Sequence, residues 1–126
     1  MGKDDVRRYE VRARSTDTFG RVLCSCRSHH FVVDGPVENR CPGEAVTPGE
    51  IFLAGIASCG VELLQVLARK QHFPLGAVDV GITGEMDLSN PIHPDHSLFH
   101  SVRLSFRLNG VTAEQGAHLV ADFKRR

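Results

Sequence analysis

The sequence carries no excess of charge: 15 Lys and Arg stand against 15 Asp and Glu over 126 residues. A chain without a net positive field has little to draw it onto DNA or RNA, so no nucleic-acid partner is expected. The first residues, MGKDDVRRYEV, lack the apolar core of a signal peptide, and Val6 stands where a myristoylation site needs Ser or Thr. The expectation is a cytoplasmic protein without a membrane partner. There is no internal repeat and no low-complexity segment. A C-x2–4-C pair is also missing. The group Cys24, Cys26, His29, His30 and Cys41 therefore makes a poor zinc site, since consecutive strand residues point to opposite faces. No metal is assigned. His93, His96 and His100 fall in or beside a proline-broken polar stretch and read as solvent-facing.

What is present suffices for one domain, 1–126, with one core. Apolar residues at 41% and charged residues at 24% are ordinary for a soluble globular chain. In a reducing compartment the four cysteines read as free thiols, redox-active thiols or metal ligands rather than structural disulfides.

Residues 8–14 (RYEVRAR) alternate Tyr9, Val11 and Ala13 with charged neighbours, the pattern of a strand with one buried face. Further strands are expected over 20–26 and 29–34, the last ending in the turn signal 34-DGP-36, and 35–46 reads as a loop. Thr47, Pro48 and Glu50 form a helix opening with a capping box. Nothing breaks that helix before Phe73 and Pro74, so it can reach about 24 residues, or roughly 36 Å. Its first half is apolar nearly all round, as in a helix surrounded by protein. Glu62, Gln65 and spread glycines argue against a membrane span. One chain of this size would struggle to cover such a helix, which points to a partner subunit. Strands follow over 77–83 and 101–109, separated by a polar stretch at 88–97. Asn109-Gly110 turns the chain, and Thr112 with Gln115 caps an amphipathic helix through Val120 and Phe123. The order is β-β-β-α-β-β-α, an α+β layout.

The string 48-PGEIFLAGIASC-59, with 29-HHFVVDGP-36 before it and the tail 109-NGVTAEQGAHLVADFKRR-126 after it, resembles the OsmC/Ohr family of thiol-dependent hydroperoxide reductases. The resemblance spans nearly the whole chain. It implies an intertwined homodimer with its long central helices buried between subunits. It also implies cofactor-free chemistry: a peroxidatic cysteine attacks a hydroperoxide, becomes a sulfenic acid and is resolved by a second thiol. Cys59 matches the peroxidatic position, Glu50 the helix-opening glutamate, and Arg21 is the first choice for the family's strand arginine, with Arg14 the second. This chain departs from the pattern at Gly49, which separates Pro48 from Glu50, and in its shortened glycine-rich loop. The family's resolving cysteine would be expected shortly after the tail; within this sequence Cys41 is either a substitute for it or an idle loop thiol, and an external thiol is the other route.

The residues themselves leave two readings of Cys59. Free cysteine is among the most buried residue types, so it can be an apolar filler. A reactive thiol must instead be held as thiolate, against a free value of about 8.5. Cys59 lies some three turns into the helix, beyond the useful reach of the dipole, so a cation must come from elsewhere. Glu50 and Cys59 fall on opposite faces of a continuous helix, whereas Glu62 shares the cysteine's face. An unpaired Glu62 carboxylate would oppose the thiolate, which favours a structural role for it.

Overall fold

Alternating apolar and polar residues build the N-terminal sheet, whose strands are β1 (Arg12–Ser15), β2 (Arg21–Cys26) and β3 (His29–Asp34). They pair antiparallel in the order β1-β2-β3. The computed structural model describes residues 5–90 and 99–125; His93 and His96 lie outside them. The chain forms two compact units, Met1–Ile51 and Phe52–Arg126.

In the first unit, β2 and β3 are joined by Arg27 and Ser28, with Arg27 in the left-handed region at φ 54°. That turn fixes the register, placing Cys26 opposite His29 and Arg21 opposite Asp34. The first strand is shorter than its alternation suggests. Its ladder ends with Arg12 opposite Ser25, near where β2 bends into its turn, so residues 8–11 have no strand to pair with. Tyr9 and Val11 are correspondingly exposed, and the expected buried face of this strand is not formed within one chain.

The 35–46 loop is more ordered than its prolines and glycines imply. A 3-10 turn at Val37–Asn39 sits inside it. Gly35 N–H donates to the Gly20 carbonyl at 2.8 Å, Gly43 N–H to Gly35 at 3.1 Å, and Asp34 N–H to Val46 at 3.1 Å. The loop is thereby folded back on its own ends.

Helix α1 (Pro48–Lys70) opens with the expected capping box. Glu50 Oε1 accepts from both Thr47 N–H and Thr47 Oγ1 at 3.0 Å, and Glu50 N–H donates back to Thr47 Oγ1 at 3.4 Å. It ends three residues before Phe73. His72 takes a left-handed φ of 58°, Phe73 N–H reaches the Ala68 carbonyl at 2.9 Å, and His72 N–H reaches Arg69 at 3.3 Å. This is a Schellman closure with histidine in the place glycine usually takes. α1 is long and apolar enough to cross a membrane, a test that the core helix of a soluble protein also passes.

The second unit adds β4 (Val78–Glu85), β5 (Ser101–Leu108) and α2 (Ala113–Lys124). β4 and β5 form an antiparallel pair running from Val78 opposite Leu108 to Glu85 opposite Ser101. Their alternation turns Val78, Val80 and Ile82, with Leu104, Phe106 and Leu108, towards the interior. The Thr112–Gln115 capping box forms in full at the start of α2. Leu64, Leu67 and Ala68 of α1 meet Leu119 of α2 in the core, with Phe73, Leu75, Val78, Phe106 and Phe123 packed around them. Only this stretch and Gly60 of α1 are buried. Apolar residues of its first half stay in solvent, Phe52 at 56% exposure among them. The expectation of a helix covered all round is therefore not met within a single chain, because β4, β5 and α2 cover only one face of it.

Candidate active site

Cys59 is the one exposed cysteine; Cys24, Cys26 and Cys41 are half-buried. It lines an open hollow of about 510 Å³ with Phe52, Gly55, Ile56, Leu63 and Phe123, and with Lys124 from the end of α2. Local sequence explains the shape. Small residues before the sulfur keep the helix surface low, and nothing lies within 4 Å of where a Gly55 side chain would begin. Gly60, buried behind Cys59, admits the ring of Phe123, whose tip would lie 3.6 Å from an added Cβ. Phe123 also packs edge-on against Phe106, with ring centres 5.8 Å apart. Ser58 leaves the hollow alone, its hydroxyl donating back to the Ala54 carbonyl at 2.5 Å. What the arrangement offers is a solvent-accessible sulfur in an apolar bed.

The second cluster belongs to the N-terminal unit. Arg21 binds Asp34 through two parallel hydrogen bonds, Nε to Oδ1 at 2.8 Å and Nη2 to Oδ2 at 2.9 Å. The same Nη2 donates to Glu44 Oε1 at 2.7 Å. Asp34 is fully buried, yet it is well served: Glu44 and Ala45 N–H both donate to Oδ2 at 2.9 Å. A buried carboxylate keeps its charge only with such partners. The Arg21 guanidinium is the main cause that holds its pKa down at about 2, with the two loop amides adding to it against the opposing effect of burial. Arg21 is in turn pushed up, first by Asp34 and then by Glu44.

Glu50 spends its carboxylate at the helix opening. The Thr47 N–H, then the Thr47 hydroxyl, lower its pKa. Cys41 is held in a tight seat, its sulfur and Cβ occupying the space that side chains at Gly20 and Gly35 would need. Cys24 and Cys26 share one face of β2, opposite Phe31 and His29. On the other face Ser25 Oγ and His30 Nδ1 are 2.9 Å apart. Arg14 lies on β1 opposite Leu23 and enters no ion pair among the described residues. The His100 ring bonds to the 87–90 turn, its Nδ1 accepting from Asp87 N–H at 3.1 Å and its Nε2 lying 2.6 Å from the Asn90 carbonyl. Among the described residues no group of three or more His, Cys, Asp or Glu is placed to hold a metal ion.

Asp34, Glu44 and Lys124 were not singled out from the sequence. Asp34 was legible in principle. Counting back from a two-residue turn at Arg27 and Ser28 sets it directly across from Arg21. Its position in a DGP turn signal masked a buried role. Lys124 carries no such signal, because its place depends on how Phe123 packs.

No family model and no curated protein matches the sequence. Solved structures do match the coordinates. The OsmC like protein from Mycoplasma pneumoniae superposes with a TM-score of 0.81 at 13% identity, over 95% of this chain and 82% of that one. This is the OsmC-like fold. An organic hydroperoxide resistance protein from Elizabethkingia anophelis matches the OsmC-like chain with a TM-score of 0.77 at 16% identity, over 95% and 83% of the two chains. An organic hydroperoxide resistance protein OsmC from Legionella pneumophila matches at 0.73 and 21% identity, over 95% and 84%. At these identities the OsmC-like architecture is shared, and the α+β order read from the sequence is the observed one.

Proposed function

We propose that this OsmC-like protein is a thiol-dependent reductase of organic hydroperoxides or hydrogen peroxide that works through Cys59. The observation that carries the reading is the exposed Cys59 in an apolar hollow suited to the carbon body of an organic peroxide. The Cys59 thiolate attacks the outer peroxide oxygen. An S–O bond forms as the O–O bond breaks, and the leaving alkoxide takes a proton to become an alcohol. The sulfenic acid then condenses with one external thiol, releasing water and giving a mixed disulfide. A second external thiol attacks the external sulfur of that mixed disulfide, expelling the Cys59 thiolate and leaving the reductant as its disulfide.

Arg21 is proposed as the cation that favours the thiolate, and Glu50 as a second site residue. Both enter as assignments from the family pattern, to be read by Arg21→Met and Glu50→Gln. The uncovered apolar residues of α1 support a homodimer as the working form, since exposed apolar patches of this kind mark interaction surfaces. The cytoplasm, where small thiols are abundant, is the proposed compartment.

The test compares peroxide consumption by the wild type and Cys59→Ser, with a thiol reductant present, alongside mass spectrometry for sulfenic acid at Cys59. Loss of turnover in the variant is expected; equal rates would end the proposal. The almost wholly apolar lining favours one other reading, a non-catalytic dimer that holds a small apolar ligand beside an idle Cys59. That reading predicts ligand binding with no peroxide consumption by either protein.

A further inference from the structure

Apart from Cys59 itself, every residue lining the hollow is an apolar one or a glycine except one. Lys124, the last residue of α2, is the one cationic residue on the edge of an otherwise apolar bed. Its placement follows from packing. Phe123 is fixed against Phe106 and beneath Gly60, and the next residue along α2 is thereby set beside the hollow. Nearby acids do not claim it: Asp122 is bound by Gln71, His118 and Arg125, and Lys124 takes part in no ion pair among the described residues. Glu62, one turn beyond Cys59, is not part of the lining. By contrast, the guanidinium of Arg21 is already shared between two carboxylates.

We infer that Lys124 sets the charge preference of the hollow, favouring molecules that join an apolar body to an acidic head over neutral ones of the same size. The inference rests on Cys59 being the reacting sulfur, as proposed above. Lys124 is a specificity-determining residue in this scheme: the apolar body lies over Phe52, Ile56 and Leu63, and the anionic head meets the ammonium. At a solvent-exposed site such pairing is modest, and salt screens it.

The experiment measures alkylation of Cys59 by iodoacetate and by iodoacetamide, followed by peptide mapping of the full-length protein. Both reagents form the same S–C bond and expel iodide; they differ in the negative charge. The ratio of the two rates at Cys59 is expected to fall about two- to five-fold in Lys124→Met. Lys124→Arg should keep the wild-type ratio, and added salt should lower the ratio in wild type but not in Lys124→Met. An unchanged ratio in Lys124→Met overturns the inference, as does an equal fall in Lys124→Arg. Alkylation needs no peroxide chemistry, so a protein that shows the charge preference but consumes no peroxide keeps this inference and loses the proposed reductase activity.

Discussion

Arg21 and Asp34 face each other across the β2–β3 ladder and share two parallel hydrogen bonds, with the carboxylate wholly buried. The pair anchors the 35–46 loop as well, because the same carboxylate receives the Glu44 and Ala45 amides. A carboxyl whose pKa lies at about 2 in the folded chain, below its unfolded value, stabilises the fold above the unfolded pKa. That contribution is lost as pH falls from about 4 towards 2. Urea midpoints of the wild type and Asp34→Asn should therefore differ widely at pH 7 and converge over this range. A gap that stays constant down to pH 2 would remove Asp34 as the group responsible.

Leu64 is completely buried where α1 meets α2 and the β4–β5 pair. Truncation to alanine removes apolar contacts and leaves a void that the surrounding core only partly fills. Leu64→Ala should cost about 2–5 kcal/mol, read by chemical denaturation. Gln65→Ala, one residue along on the exposed side, should cost far less.

Gly20 has φ +82°, and a Cβ there would come within 2.5 Å of the Cys41 sulfur. Gly20→Ala therefore meets two separate penalties, a strained backbone and a steric clash. Removing the neighbour's whole side chain with Cys41→Gly takes away both the sulfur and the Cβ, at 2.5 and 2.6 Å, and so eases the second but leaves the first. The double variant should be more stable than the sum of the single effects predicts, by about 0.5 kcal/mol or more in a double-mutant cycle. Simple additivity would mean that the two sites do not touch.

Gly60 is a glycine inside a long helix, and an added methyl would meet its nearest neighbours only at 3.6–3.8 Å. Ordinary contact there means that alanine fits. Gly60→Ala should raise stability by up to about 1 kcal/mol through helix propensity and reduced freedom of the unfolded chain. A drop in the thermal midpoint would show that Phe123 needs the space.

Much of this architecture was legible because period and punctuation agreed. The alternation of Leu104, Phe106 and Leu108 marks the inner face of β5, although Val102 in the same register stays exposed, and Thr47–Glu50 and Thr112–Gln115 mark where both helices begin. Strand β1 begins later than its alternation suggests, because alternation at Tyr9 and Val11 says nothing about whether a neighbouring strand extends far enough to pair. Apolar character all round the first half of α1 predicts burial, but one chain covers only part of the helix. For the site, it is the resemblance of residues 48–59 that points to Cys59; its setting in an apolar helix by itself fits an idle filler as well. The network around Arg21 could not be read from composition, since it depends on loop amides that arrive from ten residues away.

Gly20, Gly35 and Cys41 occupy one small volume between the start of β2 and the loop. Across evolutionary time these three positions are not free to drift one by one. A lineage that gains a side chain at 20 or 35 must first give up bulk at 41, and a chain with a larger residue at 41 must keep both glycines. Sequences that diverge from this one should show linked replacements at these sites, even where the rest of the loop has changed beyond recognition.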